Sequence, residues 1–168
     1  LHALWTLEGM GELASGTIKA ALKDSVAGIR ENAIRLAELH LSSSPDLAKE
    51  ILALQSDPNA KVRFQLLLTL GYINSPQAVR ARNELLFADI HDKWVQIAAL
   101  SAPSSQTASL LKMVLEKFRA NDPAYASLVQ RLTAMTGAGS ATESIHLLIQ
   151  KATDVHANEA AWQAPVDR

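Results

Sequence analysis

Apolar and polar positions along this chain repeat with a helical period inside a longer one. From Asp57 to Gly71 a turn signal, Asp57-Pro58, leads into a run whose members Val62, Leu66, Thr69, Leu70 and Ile73 share one helical face. A similar run opens upstream at Asp24-Ser25-Val26, with Ile29, Ala33, Leu36, Ala37 and Leu39 behind it. Another opens at Asp89-Ile90-His91-Asp92 and continues through Trp94, Val95, Ile97, Ala98 and Leu100. A fourth begins at Asp122-Pro123 and carries Leu128, Val129, Leu132 and Met135. The four opening aspartates stand 33, 32 and 33 residues apart. A near-constant period of this length predicts a solenoid of helical hairpins, each burying the rest of its apolar flank against the next.

Taken in order, the chain starts in a helix carrying Leu4, Trp5, Leu7 and Met10 and ended by Gly9 or Gly11. A short second helix covers about Thr17 to Lys23, capped among Ser15, Gly16 and Thr17. The next pair joins Val26–His40 to a helix opened by Ser44-Pro45 and running to about Gln55. The third joins Asn59–Ile73 to Pro76–Ala88, started by Ser75-Pro76 and packing through Val79, Leu85, Leu86 and Phe87. The fourth pairs Asp92–Ser101 with Gln106–Ala120, where Leu110, Leu111, Val114, Leu115 and Phe118 oppose Lys112, Glu116, Lys117 and Arg119. The fifth runs from Pro123, breaks at Gly137-Ala138-Gly139 and resumes to about Thr153. Nothing alternates with the period of a strand. The expected fold is therefore all-α: a right-handed α-α superhelix of about five hairpins. Its repeats fall at 1–24, 25–57, 58–89, 90–122 and 123–155 within a domain 1–155, and 156–168 is a tail or the start of a further segment.

Composition narrows the function classes. At 48% apolar over 168 residues, the chain can bury one extended core without metal or disulfide staples. Sixteen basic and seventeen acidic side chains leave a formal charge of −1, whereas nucleic-acid binders favour a basic balance, so no nucleic-acid partner is expected. The absence of cysteine removes thiolate metal sites, cysteine nucleophiles and covalent haem attachment within this sequence. No apolar run reaches the roughly 18 residues of a membrane span, so no direct membrane insertion is expected. Because the chain opens on Leu1 inside a helical pattern, it reads as a piece of a larger protein.

What recurs most specifically is an aspartate with an apolar residue five positions on and a basic one six on: Asp24/Ile29/Arg30 and Asp57/Val62/Arg63. This pattern resembles HEAT repeats; the marks of tetratricopeptide and ankyrin repeats do not recur. Asp89 and Asp122 keep the turn aspartate but are followed by Val95 and Leu128 where arginine is expected. An Asp–Arg ladder should then run through the middle of the stack only. The segments Leu1–Gly9 and Asp57–Gly71 are similar to the HEAT segment of membrane-bound dehydrogenase-like proteins of bacteria, with the likeness best over residues 1–103. In that family a sugar-dehydrogenase-like β-propeller precedes the segment and a haem-binding C-x-x-C-H module follows it. The resemblance implies a periplasmic or exported spacer or docking platform between redox modules, whose partner is protein. No position matches the family's dehydrogenase or haem residues, so no cofactor and no catalytic residue is expected.

Candidate chemistry is sparse. His2, His40, His91, His146 and His156 include no pair at i, i+3 or i+4, and the repeated His-Glu dyads of HEAT-like di-iron hydroxylases are missing. His91-Asp92 is the one adjacent His–carboxylate pair, and a helix N-cap accounts for Asp92. Trp94 and Trp5 read as core residues, and Trp162 as a contact outside the repeats. The serines have no base placed with them, and Gly9-Met10-Gly11 and Gly137-Ala138-Gly139 each follow a helix and not a strand, so neither is a phosphate loop. The remaining candidate is an interaction face on the second helices. Lys112, Lys117, Arg119, Arg80 and Lys49 are its members, with Lys19, Lys23 and Arg82 beside them and Glu50, Glu84 and Glu116 interspersed.

Overall fold

A computed structural model describes residues 1–101, 107–117, 119 and 121–138; among these the secondary structure is helical and no strand occurs. The chain divides into two units, Leu1–Asp89 and Ile90–Arg168.

The first unit contains α1 (His2–Gly9), α2 (Ser15–Ala21), α3 (Ala27–His40), α4 (Leu47–Leu52) with a following 3₁₀ turn (Ala53–Ser56), α5 (Ala60–Leu70) and α6 (Pro76–Ala88). Helix α3 packs along α5 and against α2, α3 packs on its second helix α4, and α5 packs on its second helix α6. The cause is visible in the apolar stripes: Ala33, Ile34, Leu36 and Ala37 of α3 and Val62, Leu66, Leu67 and Leu70 of α5 are buried. From α4 and α6 come Leu47, Ile51, Ala78 and Leu86.

Local signals set most helix ends. The Asn59 side chain accepts from the Lys61 N–H, and the Ser75 side chain accepts from the Ala78 N–H with Pro76 in the first turn. Of the two glycines at the end of α1, Gly11 takes the left-handed conformation (φ 74°), open to glycine without a Cβ penalty. Two starts differ from expectation. Helix α2 begins at Ser15, after Ala14, with no side-chain cap. Pro45 does not open α4: Ser44, Pro45 and Asp46 carbonyls accept from N–H groups three residues on, a tighter 3₁₀-type turn, and the α-helix starts at Leu47.

The second unit contains α7 (Lys93–Leu100), α8 (Thr107–Glu116) and α9 (Pro123–Ala138), with α8 packed on α9. Leu110, Leu111 and Val114 bury against a core shared with Leu128, Val129 and Leu132. Asp92 caps α7 by accepting from the Trp94 N–H at 2.8 Å. The expected second helix of the fifth pair, Trp162 and the segment 156–168 lie outside the described residues.

The helix caps correct the repeat register. Val26, Asn59 and Asp92 are the N-caps of α3, α5 and α7, so the interval is 33 both times, not 33 then 32. Trp94 therefore corresponds to Gly28 and Lys61, both exposed, and not to Ile29 and Val62. It is 58% exposed, with the Lys93 ammonium 5.5 Å from its ring centroid. Trp5 is also partly exposed (39%), its indole N–H donating to Asn32 Oδ1 at 3.1 Å. Neither tryptophan is a core residue.

Candidate functional site

The recurring aspartates and arginines form inter-hairpin staples in the first unit. Arg30, in the first turn of α3, donates from Nη1 to the carbonyls of Asp24 and Ser25 at 2.8 and 3.1 Å. Its Nε and Nη2 reach the next turn and donate to the two carboxylate oxygens of Asp57 at 2.7 and 2.9 Å. One guanidinium thus closes its own turn and clamps the following one, using the planar fork that lysine lacks. Asp57 is fixed further by accepting from the Asn59 N–H at 2.9 Å. Its side chain is 3% exposed and that of Arg30 13%. The hydrogen bonds from Arg30, joined by the Asn59 N–H and the charges of Arg30 and Arg63, hold the Asp57 carboxyl below the usual carboxylate range despite its burial. The reciprocal bonds to Asp57 raise the pKa of Arg30.

Arg63 repeats the first half of this pattern, donating from Nη1 to the Asp57 and Pro58 carbonyls at 2.9 and 3.3 Å. Its second half is looser: Nη2 lies 3.6 Å from Asp89 Oδ2, and the Asp89 side chain is 49% exposed. The register explains the difference. Asp89 sits 32 residues after Asp57, one short of the interval kept by the caps, and so falls outside the socket that Asp57 occupies.

In the second unit the 33-residue register puts Ile90 at the aspartate position and Gln96 at the arginine position. Gln96 is 3% exposed and does by neutral chemistry what Arg30 does by charge. Its Nε2 donates to the Ile90 carbonyl at 2.8 Å and to the Ala124 carbonyl at 3.0 Å. Asp122 accepts from the Ala124 N–H at 3.0 Å, as Asp57 does from Asn59, and pairs with His91 Nε2 at 3.1 Å. Sequence reasoning put Val95 in the arginine's place and so missed Gln96; a fixed 33-residue register would have found it.

Further side-chain bonds link residues about one repeat apart. His40 Nε2 meets Glu8 at 2.6 Å, Arg35 Nε donates to Gln65 Oε1 at 2.7 Å, and the Thr69 hydroxyl donates to Glu38 at 2.7 Å. Lys19 pairs with Asp46, and Lys23 with Glu50 at 2.9 Å. The hydrogen bond to Asp46 raises the Lys19 pKa, and that same bond lowers the Asp46 pKa.

These pairings revise the candidate interaction face. Lys19 and Lys23 neutralise acids of the next second helix, and Arg82 is not on the surface at all: it is 1% exposed, and burial lowers its pKa. Lys49 and Arg80 are exposed in the first unit, and Lys112, Lys117 and Arg119 are exposed in the second. Arg80 lines a groove of about 370 Å³ between the end of α4 with its 3₁₀ turn and the first turns of α6. Leu52, Pro76 and Ala81 supply its apolar lining, Gln55 and Gln77 its amides. Among the described residues no three His, Cys, Asp or Glu groups gather to hold a metal, and no helix is long and apolar enough to cross a membrane.

Among the described residues, fold and side chains together define an all-α protein with repeating polar staples and a lined groove on its second helices. No protein-family model, curated protein or solved structure matches the chain.

Proposed function

We propose that this chain is a non-catalytic HEAT-like scaffold, a right-handed α-α superhelix of about five hairpins that spaces or docks protein partners. The observation that carries the reading is the recurrence of one contact. Arg30 and Arg63 each close their own turn and reach the aspartate of the next, which is how near-copies laid side by side are held at a constant spacing. The partners are proteins: adjoining domains of a larger exported, bacterial dehydrogenase-like chain, or a separate polypeptide. The resemblance of Leu1–Gly9 and Asp57–Gly71 to such HEAT segments supports that setting. Turnover assays on this chain with sugars and alcohols, using an artificial electron acceptor, should stay at the blank; reproducible turnover would end the scaffold reading. Small-angle X-ray scattering should give the elongated profile of a solenoid, and a spherical profile would remove the superhelix.

A further inference from the structure

We propose that the groove between α4 and α6 takes a short acidic peptide whose carboxylate is received by Arg80; this rests on the protein-docking reading above.

Two observations lead there. The first is charge left over. On the second helices of the first unit, Lys19 and Lys23 are paired with Asp46 and Glu50, and Arg82 is buried. Arg80 is exposed, has no ion pair among the described residues, and stands in the groove wall. Glu84, four residues on along α6, is engaged by the Gln55 amide and leaves the guanidinium fork open. A planar fork at the side of a groove favours a carboxylate, which it can bind through two parallel hydrogen bonds.

The second is the lining. Leu52, Pro76 and Ala81 offer apolar surface to a side chain, while Gln55 and Gln77 carry amides able to donate to and accept from a peptide backbone. Apolar floor, amide walls and a single cation suit a peptide of mixed acidic and apolar character better than a phosphate polymer. The latter would need several cations, and the chain's net charge of −1 gives it no long-range attraction.

The test uses the full chain and a fluorescein-labelled peptide of alternating Glu and Leu, with an alternating Lys and Leu peptide and a single-stranded DNA oligonucleotide as counterparts. Fluorescence anisotropy should show binding of the Glu-Leu peptide alone. Arg80→Glu should weaken it by about tenfold or more, and Arg80→Gln by less. Because Arg80 is exposed, both variants should keep the wild-type melting temperature, checked by circular dichroism. Unchanged binding in Arg80→Glu overturns the groove assignment. If Lys112→Glu with Lys117→Glu then abolishes binding, the docking reading stands on another face. Failure of the Glu-Leu peptide to bind at all also overturns the groove. Arg80-dependent retention of the oligonucleotide in place of the peptide overturns the peptide class.

Discussion

Arg30 Nε and Nη2 grip the two carboxylate oxygens of Asp57 at 2.7 and 2.9 Å, across 27 residues of sequence. The acid is almost wholly buried and the base nearly so. A buried pair of this kind is held by geometry: both carboxylate oxygens are occupied, and the remaining guanidinium nitrogen is satisfied by the carbonyls of its own turn. Removing one partner strands the other, so the pair is a sensitive point in the first unit.

Asp57→Asn should lower stability by roughly 2–3 kcal/mol, since charge-assisted hydrogen bonds to a buried group are lost while the Asn59 N–H can still be met. Urea denaturation checks it. In the Asp57→Asn background, Arg30→Gln should add little; full additivity would show that the two residues act independently.

The same pair makes stability pH-dependent in one direction. Asp57 has a folded pKa below the value of about 3.9 for an unfolded aspartate. Its contribution is complete above the unfolded value and is lost as pH falls through the folded one. The gap in urea midpoint between wild type and Asp57→Asn should therefore narrow between about pH 6 and about pH 3. A gap that widens on acidification would contradict the depressed pKa.

Leu66 and Leu70 on the buried face of α5 are 0% and 1% exposed, so Leu66→Ala or Leu70→Ala should cost about 2–5 kcal/mol. Trp94→Ala should change stability by no more than about 0.5 kcal/mol, because the ring lies largely in solvent. Iodide should quench wild-type fluorescence more than that of Trp94→Phe; equal quenching would return Trp94 to the core.

Ser75→Ala removes the acceptor for the Ala78 N–H and should destabilise by about 1 kcal/mol, with Ser75→Asp close to wild type. A thermal melt distinguishes the two.

The pairing of Asp57 with an arginine was legible because a charged residue at a fixed offset after a turn aspartate stands out against apolar helix positions. The start of α6 was legible too, since Ser75-Pro76 acts through neighbouring backbone alone. Trp94 and Gln96 were misread through a single slipped residue: counting from Asp89 advanced every later position by one, and a neutral amide carries no sign that it replaces an arginine. The groove could not be read, because Leu52 and Gln55 meet Pro76, Gln77 and Arg80 only when two hairpins pack.

By itself the sequence determined that the described chain is helical, where most helices start, and the roughly 33-residue period, because caps and apolar periodicity act within a few bonds of each residue. The tertiary structure alone decided that Asp57 is buried and clamped while Asp89 is left half in water, that Arg82 goes inside while Arg80 stays out, and that Trp94 faces solvent. Each outcome turns on which flank a side chain presents to a neighbouring hairpin, and a shift of one residue rotates a helical position by about 100°.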